Sequence, residues 1–84
     1  DQLSGMKTIT ELFGEDIRRR RRELRVSQEG FADKEKIHRN YVSSIELGKV
    51  QVSIGIAHQL AATLEVPLSA LFREVERRLA KEDS

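Results

Sequence analysis

Apolar residues recur along this chain at intervals of three and four, the period of a helix with one buried face. Phe13, Ile17 and Leu24, with the stem of Arg21, fall on one stripe of a first helix expected over Glu11–Arg25. Thr10 is placed to cap it. Phe13 stands three residues on, so no capping box closes, while Glu11 suits the first turn. Ser27 restarts the chain as the N-cap of a second helix, Gln28–Glu35, with Phe31 and Ala32 inward. A third helix, Arg39–Leu47, carries Val42 and Ile45 on its apolar side and stops at Gly48. Ser53 caps a fourth, Ile54–Leu64, whose inward stripe is Ile56 or Ala57, then Leu60, Ala61 and Leu64. Glu65-Val66-Pro67 breaks it. A fifth helix, Leu68–Lys81, carries Leu68, Leu71, Phe72, Val75 and Leu79. No run of β-branched residues alternates with polar ones, so strands are not expected. The fold class is all-α, an orthogonal bundle of five helices.

Composition narrows what such a bundle does. Eighty-four residues make one domain with a modest core. Residues 1–5, ahead of Met6, read as a cloning remnant, leaving 6–84 as the single domain. The chain has no cysteine, which excludes disulfides and thiolate metal sites and suits a reducing cytoplasm. His38 and His58 are too few and too far apart for a metal site. No apolar run approaches the roughly 20 residues that span a bilayer, so no membrane association is expected. There is no glycine-rich phosphate loop and no histidine–carboxylate–nucleophile set, so neither an enzyme, a cofactor nor a small-molecule substrate is expected. Net charge is only +1, weak support for a nucleic-acid partner. Five of the basic residues form one run, Arg18–Arg22. Such a run can track phosphates. It also covers the whole helix circumference, which favours a solvated face paired with Glu11, Glu15, Asp16 and Glu23.

The informative window is Gln28–Leu47. Two short helices joined by a tight turn, the second with a polar outer face, make a helix-turn-helix. Ala32 sits where the two helices cross, and a larger side chain would push them apart. On the third helix Val42 and Ile45 point inward, while Arg39, Asn40, Ser43 and Ser44 point away. Arginine matches guanine, asparagine matches adenine, and serine matches several base edges.

Ser27-Gln28, the block Ile37–Lys49 and the tail Leu64–Phe72 together resemble the Xre/Cro-repressor helix-turn-helix family. Its members include phage repressors, controller proteins of restriction–modification systems and antitoxins. The resemblance covers about residues 12–72 and lies in the spacing of three blocks, each punctuating a different helix. It implies a lambda-repressor-like domain that docks helix three in the major groove of double-stranded DNA. By position, Gln28 corresponds to a phosphate-gripping glutamine, and Arg39, Asn40, Ser43 and Ser44 to base-reading residues. His38, Tyr41 and Lys49 fall where backbone contacts are made. Arg21 and Glu46 correspond to a structural ion pair tying helix one to helix three. The chain departs from the family in its turn, where Glu35 and Lys36 replace a small apolar residue and glycine, and at Val52, where relatives carry proline.

One domain covers about half an operator, so a homodimer on a palindrome is expected. The long stripe Leu68, Leu71, Phe72, Val75 and Leu79, with the outer edge of helix four, is the expected two-fold interface. The other classes this fold serves are an antitoxin or protein-interaction adaptor and a loose nucleoid-type binder. A controller protein ranks first, with a phage-type repressor or antitoxin next.

Overall fold

Thr8, rather than Thr10, starts the first helix. Its hydroxyl accepts from the Glu11 amide at 3.1 Å, and the Glu11 carboxylate accepts from the Thr8 amide at 2.8 Å. The capping box that the sequence reading denied is therefore closed, two residues upstream. The computed structural model describes residues 6–82, so the supposed remnant at 1–5 lies outside the described residues. The helices are α1 (Ile9–Glu23), α2 (Gln28–Glu35), α3 (Arg39–Glu46), α4 (Ile54–Thr63) and α5 (Leu68–Glu82). No strand occurs among the described residues. Ser27 and Ser53 cap α2 and α4 as expected, accepting from Gly30 and Ile56 at 3.0 and 3.1 Å.

Helices α1 to α4 all end the same way. Amides of Val26, Ile37, Lys49 and Val66 reach back to the carbonyls of Arg21, Ala32, Ser44 and Ala61 at 2.9–3.2 Å. In each case the preceding residue is left-handed: Arg25 (φ 60°), Lys36 (φ 57°), Gly48 (φ 72°) and Glu65 (φ 63°). This is the Schellman termination, and the apolar residue that follows the left-handed one packs back on the helix. Val26, Ile37 and Val66 fill that role against the core. Only one of the four positions carries glycine, so three side chains sit in a conformation that disfavours them by about 1 kcal/mol each.

Helix α1 packs on α5 and α3, α2 on α3, and α4 on both α2 and α5. The core gathers Leu12, Ile17, Phe31, Val42, Ile45, Leu60, Leu71 and Val75, all at most 2 % exposed. Each such side chain contributes about 1.5–3 kcal/mol of burial. Of the two candidates on α4, Ala57 is the buried one. Leu24, expected inward, is exposed, because the helix has ended and the chain has already turned; Leu12 takes the inward role instead. Leu71 and Val75 are 0 % and 1 % exposed and close the core of the single chain. They are withdrawn from the expected dimer surface.

Glutamate 35, the last residue of α2, is 4 % exposed beside α4, and its Oε2 atom has no hydrogen-bond partner. Burial pushes its carboxyl above the ordinary value of 4.5, only partly offset by a hydrogen bond with Thr63. The folded state therefore holds the Glu35 proton more tightly than the unfolded chain does. Its contribution is favourable at pH below 4.5 and is lost as pH rises through the elevated folded value. Glu35→Gln, which removes the charge and keeps the shape, is expected to be about 1 kcal/mol more stable than the parent at pH 7. Urea unfolding at pH 4 and pH 7.5 checks this: the advantage should shrink at the acid value, and a less stable variant at pH 7.5 contradicts it. Lys36→Gly should raise stability by about 0.5 kcal/mol, since glycine relieves the left-handed strain but frees the unfolded chain. A lower melting temperature for this variant would show that the lysine stem is needed for packing.

Candidate nucleic-acid interface

Helix α3 has a buried side and an open side. Val42, Ile45 and Glu46 are 1 %, 2 % and 4 % exposed. Arg39 and Asn40 are exposed, while Ser43 and Ser44 are half-buried. All four predicted base-reading residues thus lie outside the apolar seam. Asn40, Ser43, Ser44 and Leu47 follow the i, i+3, i+4, i+7 spacing of one stripe, and Arg39 borders it on the edge that leads to Ser43 and Glu46. Leu47, which sequence reading did not single out, is 55 % exposed at the end of that stripe.

His38 caps α3. Its Nδ1 accepts from the Asn40 amide at 3.0 Å, so in the neutral ring Nε2 carries the proton and faces outward as a donor. Tyr41 is half-buried and packs against the core, and Lys49 is exposed just past the helix. Together His38 and Lys49 flank α3 at its two ends.

The far end of α3 is anchored by charge. Arg21 Nε donates to Glu46 Oε2 at 2.6 Å and Nη2 donates to Oε1 at 2.9 Å, a two-pronged pairing of fork with carboxylate. Arg21 Nη1 also donates to the Val26 carbonyl at 2.7 Å, fixing the approach to α2. The bonds to Glu46 hold the Arg21 guanidinium above its ordinary value, against the opposing effect of burial. The expected Arg21–Glu46 pair is therefore present. Sequence reading missed its third member: Gln28 Nε2 donates to the same Glu46 Oε1 at 3.0 Å. The side chain expected to grip a phosphate is held by its amide nitrogen, which orients it at the start of α2.

Gly14, also missed, brings α1 onto this end of α3. A Cβ there would lie 2.1 Å from the Ile45 carbonyl oxygen, so only glycine allows the approach. A lone glycine inside a helical pattern was the available signal. The predicted dimer residues divide. Leu71 and Val75 lie in the core; Leu68 and Leu79 are half-buried against it; Phe72 is 39 % exposed. Phe72 lines a groove of about 200 Å³ with Ile9, Phe13, Val52 and Ile54, and Ile54 is 76 % exposed. No group of metal-ligating side chains occurs among the described residues, and no single helix there is long and apolar enough to cross a membrane.

Comparison with known proteins fits this geometry. The family model described as Helix-turn-helix matches residues 17–71. The chain is 38 % identical over 73 residues to "Control protein C.MunI" from Mycoplasma sp, covering 86 % of this chain and 99 % of that protein. The fold is shared with the crystal structure of the clp gene regulator ClgR from Corynebacterium glutamicum. There the TM-score is 0.85 at 19 % identity, over 92 % of this chain and 82 % of that one. With a helix-turn-helix whose second helix opens Arg39 and Asn40 outward, and with most of its length matched, the chain belongs to the Xre/Cro-type helix-turn-helix family of DNA-binding transcription regulators and is not an enzyme.

Proposed function

We propose that this chain is a controller-type regulator that binds a palindromic operator as a homodimer, with α3 in the major groove. The observation that carries the reading is the open α3 face of Arg39, Asn40, Ser43 and Ser44, set at a fixed angle by the Arg21–Glu46–Gln28 cluster behind it. Arg39 reads a guanine, Asn40 an adenine, and the two serines adjoining edges. Gln28, His38, Tyr41 and Lys49 hold phosphates on either side, which sets register rather than sequence. The controller assignment is supported by the near full-length similarity to "Control protein C.MunI".

The proposed two-fold contact uses Phe72 and Ile54, two of the exposed apolar side chains around the groove lined by α1, the segment before α4, α4 and α5. In this reading operator occupancy follows the concentration of the chain itself, through dimerisation.

Selection of bound sites from a random duplex pool tests the operator reading. A palindrome should emerge, and Arg39→Ala should lose about 1–3 kcal/mol of discrimination at one base pair of each half-site. Equal weakening on every sequence would demote Arg39 to a phosphate contact. In gel filtration with light scattering, the parent should run at about twice the chain mass at high micromolar concentration. Ile54→Asp should halve that mass without loss of helix. A parent that stays monomeric removes the two-fold proposal.

A further inference from the structure

The arginine run on α1 resolves into two groups. Arg19 and Arg20 hold the buried Asp16 at 2.5 and 2.8 Å, and Arg19 also holds Glu23 at 2.9 Å. Arg21 belongs to Glu46. These three account for the structural share of the run. Arg18 and Arg22 are exposed, and among the described residues no carboxylate pairs with them. They stand four residues apart, about 6 Å along the helix axis. Arg25, three residues on and just past the helix, is exposed and equally unpaired.

The nearby acids are already engaged. Glu11 accepts from the Thr8 amide, Glu15 is paired with Lys7 at 2.6 Å and Arg78 at 2.9 Å, and Glu23 is paired with Arg19. What is left on this face is net positive. The chain also keeps an arginine at Arg25 in the left-handed conformation, where glycine would be less strained.

Position says what the stripe meets. On the α1 surface Arg18 lies beside Gly14 and Arg21, both of which touch the end of α3. Arg25 stands two residues before Ser27, the N-cap of α2. The stripe therefore borders the proposed operator face on the α1 side and continues it outward.

We infer that Arg18, Arg22 and Arg25 form a second phosphate-binding surface, one that engages duplex DNA flanking the half-site read by α3. The inference rests on the operator reading above and extends the footprint beyond the base pairs that α3 touches. The ligand is the sugar–phosphate backbone of any sequence. Its recognition needs cationic charge and a length of duplex, not base identity.

The test compares two duplexes carrying the selected operator: one trimmed to the selected base pairs, one extended by arbitrary sequence on both sides. Affinity is followed by fluorescence anisotropy over a range of salt. Each phosphate neutralised steepens the plot of log affinity against log salt by about 0.9. For the parent, extension should steepen it by about 2–3 per half-site engaged. The Arg18→Gln/Arg22→Gln/Arg25→Gln variant should show the same slope on both duplexes and keep its base discrimination. The corresponding triple lysine variant should retain the gain, since charge alone is required. Circular dichroism and melting temperature confirm that each variant folds. A parent with equal slopes on both duplexes overturns the inference and leaves the operator reading intact, as does a glutamine variant that keeps the gain. Failure of any palindrome to emerge from selection overturns the operator reading instead, and this inference with it.

Discussion

The arrangement of this molecule depends on one buried carboxylate. Glu46 sits at the end of α3 with almost no exposure and accepts from Arg21 of α1 and Gln28 of α2. Three helices meet on two oxygen atoms. An isolated charge in that position would be strongly unfavourable, and the two-pronged bond with Arg21 offsets the loss of water. The balance is lopsided: the intact cluster adds little net stability over an apolar substitute, whereas deleting one partner strands the other at a cost of about 3–5 kcal/mol. The value of the cluster is in geometry. Hydrogen bonds of this kind hold direction as well as distance, so the angle between α3 and the start of α2 is set by chemistry rather than by loose apolar contact.

Much of this was legible in the amino-acid sequence, because helical periodicity and punctuation act locally. All five helices, the caps Ser27 and Ser53 and the stop at Gly48 follow from residues read in order, whereas the Arg21–Glu46 pair, 25 positions apart, was legible only through the family resemblance. The first cap was misplaced because Thr8 and Thr10 are both plausible. Only the reciprocal bond from Glu11 distinguishes them. The Schellman ends at Arg25, Lys36 and Glu65 carry no glycine signal. The apolar residue after each, Val26, Ile37 and Val66, was the better guide.

On α5 the sequence shows one long apolar stripe and cannot say how it is shared. Leu71 and Val75 are taken up by α1 and α4 in the core, and the near-perpendicular meeting of α4 and α5, at 105°, leaves Phe72 outside. Tertiary packing decides this division, and no periodicity contains it. The open side of α3 was easier to read, since polar residues there contrast with Val42 and Ile45. Gln28 was harder: the hydrogen bond its side-chain amide donates to Glu46 spans 18 positions and joins residues that nothing local connects.

Helix α3 is secured by different means at its two ends. Its C-terminal end is wedged by Gly14, by the Glu46 cluster and by Gly48 lying against Glu11. Its N-terminal end is held by apolar packing of Ile37, Tyr41 and Val42 and by the exposed His38 ring, whose Nδ1 accepts from the Asn40 amide. Charge and close backbone approach fix the far end, apolar packing the near end, and Arg39 and Asn40 stand exposed at the near end. Neither side chain takes part in those anchoring contacts, so either can be exchanged while the frame stays still. Under the proposed operator reading, retargeting the protein concerns the first turn of α3, and the charged cluster at its far end is best left untouched.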